Sequence, residues 1–443
     1  MALLGATVLT ISVGAATAFL PNLLPFSNPS GIASTFHTTG TIDLSTAFFQ
    51  NLGSNGRTCV TCHQPSDGWT VTPAHIQARF AASGGLDPIF RPVDGANCPT
   101  ADVSTVQARQ AAYSMLLNKG LIRVSIGVPA TADFQVIGID DPYACPETTT
   151  AGLALFRRPL PGTNLPFLTT VMWDGRESQP GQSLHDSLKH QAMDATLGHA
   201  QAAVAPTDEQ LEQIVAVETA NFTAQSMDRS AGILNAQQAS GGPVPLSQQS
   251  FSPGINDPLG PPGTFDQVAF TIYPKWAGLN SPTRSSIARG EALFNTLPIT
   301  ISGVAGLNDK TGVPASFTGS CTTCHNTPNV GNHSVPLAIN IGVTDYPALP
   351  PLDTTGLPIY TIQCTNGTTV QVTDPARALI TGKCKDIGKT KGPILRGLAA
   401  RAPYFHNGSA ATLRDVVEFY NNRFNLQLTE QQKQDLAAFL GAL

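Results

Sequence analysis

The sequence predicts a mainly α fold of two domains, with long irregular loops and insertions. Three observations carry that expectation. The unit Cys-x-x-Cys-His occurs twice, at residues 59–63 and 321–325, so each half of the chain builds the same local device. Apolar residues recur at helical spacing ahead of the second copy and again near the end of the chain. The 40 glycines and 35 prolines point to long irregular connections, which suit an interior organised around large non-protein groups.

In chain order, residues 1–18 are expected to be a signal peptide. The stretch "MALLGATVLTISVGAATAFL" is apolar, and Ala16-Thr17-Ala18 has the small-x-small form of a cleavage site. Export to the periplasm, or otherwise out of the cytoplasm, follows. A bilayer span needs about 20 apolar residues, so membrane contact is expected only if the N-terminus is retained as an anchor. The first domain is placed at residues 36–270. It contains the first Cys-x-x-Cys-His, a Pro- and Gly-rich insertion between Cys98 and Cys145, and "RRPLPGTNLPFLTTVMWDGRESQP". A polar stretch near 235–265 reads as the connection to the second domain, placed at 283–443.

The second domain opens with "SSIARGEALFNTLPI", where Ile287, Gly290, Leu293 and Phe294 form an apolar stripe. Thr412 with Asp415 and Thr429 with Gln432 are capping boxes that start the last two helices. Leu436, Phe439, Leu440 and Leu443 are the expected buried face of the final helix, and strands are hard to find. Charged residues make up only 12%, the formal net charge is -5, and Lys and Arg form no run, so nucleic acid is not an expected partner. Outside the two units, Cys98 with Cys145 and Cys364 with Cys384 fall into local pairs. They suit loop-closing disulfides in an oxidising compartment, with buried free thiols as the alternative.

The chemistry of Cys-x-x-Cys-His explains why four cysteines are spent on it. Thiols three positions apart each add across one vinyl group of a haem, and the adjacent histidine ligates the iron. Cys59, Cys62, Cys321 and Cys324 are therefore the expected covalent attachment points of two haem c groups, with His63 and His325 as axial ligands. A Cys₄ zinc site is the rival. It is disfavoured by the histidine in both copies, by their distance along the chain and by the expected export.

The order Cys-x-x-Cys-His, "WDGRE", Cys-x-x-Cys-His and "LRGLAARAPYFHNGSAATLRDVVEFY" resembles the bacterial diheme cytochrome c peroxidase and MauG superfamily. The resemblance covers most of the chain after its first residues, but has no counterpart for the insertion at about 80–155. It implies two c-type cytochrome domains, one haem reacting with peroxide, the other passing electrons, and a tryptophan between them, matched by Trp173. Tyr420 occupies the position that carries Met in the peroxidases and Tyr in MauG-like members. No methionine lies in the second domain to compete with it, and His406 of "PYFH" ranks below it. Tyr420 also completes a stripe with Leu413, Val416 and Val417, so a plain core role is the alternative.

At the first haem the family uses a glutamate downstream of a "QA" pair. Here Gln191 matches the glutamine and Gln201 falls near the glutamate position. Glutamine does not exchange protons at neutral pH, so His199 is the candidate acid and base. His75 is the candidate to close the sixth iron position, as a histidine does in many members. Family members also hold a calcium ion through backbone carbonyls and an asparagine. Asn164 is the residue to inspect, although it does not align cleanly with that position. His37, His185, His190 and His333 read as ordinary polar histidines. The expected function is a periplasmic diheme c-type cytochrome that reduces hydrogen peroxide with electrons relayed between two haems from a small redox protein. MauG-like oxidation of a protein or organic substrate, and a non-catalytic diheme carrier, are the alternatives.

Overall fold

A computed structural model describes residues 18–443, so all of the expected signal peptide except Ala18 lies outside the described residues. The fold is not mainly α. Helices hold 29% of the residues and strands 18%, and fifteen strands lie among the described residues. These strands are short and sit in segments whose glycines and prolines read as loop. Ile122–Gly127, inside the first insertion, pairs with Gly152–Arg157 just beyond Cys145. Phe134–Asp140 then pairs with Ile359–Cys364 from the other half of the chain, and that strand pairs with Thr369–Val372. In Ile359–Cys364, Tyr360, Ile362 and Cys364 point inward while Ile359, Thr361 and Gln363 are half-exposed. That is period-two alternation, too short to register in a helix-sized window.

Both expected disulfides form. Cys98–Cys145 closes the first insertion and Cys364–Cys384 ties the strand at 359–364 to the turn at 384–386. A four-stranded sheet, Phe26–Asn28, Gly31–His37, Asn221–Asp228 and Gly232–Ile233, backs the first Cys-x-x-Cys-His turn. Its Thr35 hydroxyl accepts from Trp69 Nε1 at 2.8 Å, which fixes the residue that will orient His63.

Helix Pro282–Thr296 crosses helix Glu430–Gly441 near the end of the chain. A Cβ at Gly290 would lie 1.9 Å from the Asp435 carbonyl oxygen, so the two backbones approach this closely only because the residue is glycine. Asp435 answers across the crossing, accepting from Ser286 Oγ at 2.6 Å and from Arg289 Nε at 2.8 Å. Ile287, Phe294, Leu436, Phe439, Leu440 and Leu443 are buried in the resulting core. Leu413–Arg423 and Glu430–Gly441 each start at a complete capping box, on Thr412 and Thr429. Among the described residues no helix is long and apolar enough to cross a membrane.

Candidate functional site

The two Cys-x-x-Cys-His units fold alike, and the likeness extends to individual hydrogen bonds. Cys59–Thr61 and Cys321–Thr323 are single 3₁₀ turns, each held by a reciprocal cap, Thr58 with Thr61 and Ser320 with Thr323. The His63 and His325 amides both donate to the carbonyl of the first cysteine at 3.0 Å. Each imidazole Nδ1 then meets a carbonyl six residues downstream, Trp69 O at 3.0 Å and Gly331 O at 2.6 Å. Burial holds both histidines below the usual imidazole range. Both are therefore neutral, with Nδ1–H spent on a carbonyl and Nε2 left free, the arrangement that orients a histidine able to ligate a metal.

Both turns open onto one continuous cavity of about 3080 Å³, solvent-open space included, whose wall is mostly apolar. Cys59, Cys62, Cys321 and Cys324 all lie on it and form no disulfide. Burial drives their thiols up, Cys321 and Cys324 to about 12, which keeps the S–H form that adds across a vinyl group. Among the described residues the four sulfurs do not converge on one point, as Cys₄ zinc requires. The donor set and the space fit haem.

Beside the first turn, His199 and Gln191 line the cavity. His199 follows helix Leu184–Gly198, and its Nδ1 meets Asp94 Oδ2 at 2.5 Å. Asp94 also pairs with Arg57 at 2.6 Å. Burial raises the Asp94 carboxyl, but His199 and Arg57 together hold it below the usual range, so it stays ionised. An ionised Asp94 accepting from Nδ1–H leaves His199 Nε2 able to take a proton. Gln201 lies outside the cavity, exposed, accepting from Asn55 Nδ2 at 3.1 Å. His75 is also off the cavity wall, half-buried, with Nδ1 against Asp67. Asn164 spends its side chain on Thr223, donating to the carbonyl at 2.9 Å and accepting from the amide at 2.8 Å.

On the far wall, Leu413, Val416, Val417 and Tyr420 all face the cavity from one side of helix Leu413–Arg423. Tyr420 stacks on Phe424, with centroids 6.2 Å apart. Burial, and then Cys324 and Cys321 nearby, push its phenol well above the ordinary range, so a phenolate there requires a metal partner. His406 is buried with its ring against Trp173, centroids 6.1 Å apart. Its Nε2 lies 3.5 Å from Asp374.

Residues 167–174, which carry Trp173, are gripped from the C-terminal half at four of their eight backbone carbonyls. Phe167 O accepts from Asn332 at 2.6 Å, Thr170 O from Lys391 Nζ at 2.9 Å, Trp173 O from the Lys391 amide at 2.9 Å, and Asp174 O from Arg377 at 3.1 Å. Trp173 itself lines the cavity and donates Nε1 to Arg158 O at 2.9 Å. Sequence reasoning passed over Asp94, Arg57, Glu218 and Lys391. Asp94 falls in an insertion with no motif to mark it. Glu218 and Lys391 look like ordinary charged residues until burial raises the former to about 8 and lowers the latter to about 7. His333, expected to be ordinary, is buried on the cavity wall with Nδ1 at 2.6 Å from Leu337 O.

No family model matches the chain. It is 31% identical over 188 residues to the cytochrome-c peroxidase IdrP1 of Denitromonas iodatirespirans, covering 39% of this chain and 44% of that protein. It is 24% identical over 185 residues to the cytochrome c551 peroxidase of Pseudomonas aeruginosa, covering 42% and 45%. These similarities support the resemblance to the diheme cytochrome c peroxidase and MauG superfamily. The matched part of the chain spans less than half the length of either relative. A solved MauG-like protein associated with microbial copper homeostasis superposes over 90% of this chain and 87% of its own, at a TM-score of 0.40 and 14% identity. The peroxidase relatives imply haem c as the cofactor, and the two turns and the cavity offer residues and space that would hold it.

Proposed function

We propose that this protein is an exported peroxidase with two covalent haem c groups, reducing hydrogen peroxide on the His63 side with electrons that enter on the His325 side from a small redox protein. The observation that carries the proposal is the single cavity on which both histidine turns, the His199–Asp94 pair and Trp173 all lie. Bound haem iron would supply the peroxide-binding site and the electrons. His63 and His325 would ligate through Nε2. His199 takes the proton from the peroxide oxygen that binds and delivers it to the oxygen that leaves, so that water departs and no hydroxide is released into an apolar pocket. Asp94 keeps the imidazole turned and stabilises its cationic form. Gln191 offers a donor and an acceptor on the same wall without exchanging protons.

A second proposal has one observation in its favour. Tyr420 stands on the wall nearest Cys321 and Cys324, where the peroxidases of the resemblance carry methionine. If it ligates, the reaction shifts towards oxidation of a protein or organic substrate, as in MauG-like members. The test common to both is spectroscopic. The ferric holoprotein, or its one-electron-reduced form, should show a high-spin signal that hydrogen peroxide changes within seconds. Two low-spin signals, unmoved by peroxide in every state, would leave only the carrier function.

A further inference from the structure

Lys391 is a buried lysine on the wall of the cavity. It is 7% exposed, and among the described residues its ammonium forms no ion pair. Its Nζ donates to Thr170 O and its backbone amide to Trp173 O, both at 2.9 Å, so one residue of the C-terminal half holds both ends of the turn that presents Trp173. The nearby carboxylates are already paired with other cations. From the N-terminal half come Asp174, paired with Arg157 at 2.5 Å and Arg176 at 3.3 Å. From the C-terminal half come Asp374, paired with Arg157 at 2.7 Å, and His406 beside it. Lys389 is engaged by Asp309 and Asp386, Arg377 donates to a backbone carbonyl, and burial keeps His333, whose ring abuts Gly392, neutral. Arg157 and Arg176 are shared among Asp174, Asp374 and Glu177, which also pairs with His190, and among the described residues the Lys391 ammonium has no carboxylate within ion-pair distance.

We propose that Lys391 is the positioning residue for Trp173 and that gain or loss of its proton tunes electron exchange between the two halves. The inference rests on the two-haem reading above. A cation beside the turn disfavours a positive hole on or near Trp173, and losing the proton removes that penalty. Burial, opposed only by Asp174, brings the change to about pH 7. The same shift acts on stability. Between about 7 and the ordinary lysine value of about 10.4 the unfolded chain binds the extra proton, so stability rises with pH across that window.

The test uses the two-haem protein without peroxide, so an inert peroxidase would not be confused with a failed Lys391. One haem is reduced by a light pulse and re-equilibration is followed from about pH 6 to about pH 8, with unfolding against pH as a second readout. In wild type the rate should change by about fivefold or more across that range, since a buried charge a few ångströms away is worth roughly 1 kcal/mol or more. Lys391→Met should give a flat profile at the high-pH rate and no stability gain above pH 7. Lys391→Arg should give a flat profile at the low-pH rate. A wild-type rate independent of pH, or a Met or Arg variant that keeps the wild-type profile, would overturn the proposal. If Lys391→Met fails to load haem, the wild type and Lys391→Arg decide alone.

Discussion

His199→Ala is expected to lower the rate of reaction with hydrogen peroxide by about 10² to 10⁴, the usual contribution of a positioned general acid and base, with haem content unchanged. His199 lies on the cavity wall with its Nδ1 committed to Asp94, and Asp94 is kept ionised by Arg57. Nε2 is therefore the nitrogen free to carry the proton between the peroxide oxygens. Asp94→Asn retains the shape of the acceptor and removes its charge, so its loss should be smaller and should appear as a shifted pH profile. Stopped-flow spectroscopy at several peroxide concentrations measures both. A loss below about threefold for His199→Ala would remove it from the proton transfer.

The second large effect concerns Tyr420. If its phenolate is the sixth ligand on the His325 side, Tyr420→Phe should open that iron to cyanide and raise its reduction potential, because an anionic oxygen donor stabilises the ferric and higher states. Tyr420→Met should raise the potential further and move the protein towards ordinary peroxide reduction. Without a metal, burial holds this phenol protonated, so the charge-transfer band of a phenolate would itself report ligation. An unchanged spectrum and potential in Tyr420→Phe would make Tyr420 a wall residue only. His406, buried 3.5 Å from Asp374, would be tested next.

What could be read from the sequence depended on how local each signal was. The two Cys-x-x-Cys-His turns were legible because each lies within five residues, and the capping boxes at Thr412 and Thr429 because a cap spans only four. Cys98–Cys145 and Cys364–Cys384 followed from pairing the leftover cysteines. The fold class failed because its strands are short and find partners far away. Phe134–Asp140 has no strong alternation of its own and is completed by Ile359–Cys364, more than two hundred positions later in the chain. Asp94 was invisible for the same reason, since only folding brings it from an unmarked insertion to His199. Lys391 shows another limit. Its type promises a solvated surface charge, and only the grip on Thr170 and Trp173 reveals a buried one.

The central claim is that both Cys-x-x-Cys-His turns bind haem covalently within one cavity. Intact mass spectrometry of the protein exported from a host that matures c-type cytochromes tests it most directly. The expected mass is the polypeptide plus two haems, neither extracted by acidified acetone. A mass equal to the bare polypeptide, or to the polypeptide plus zinc, would contradict it.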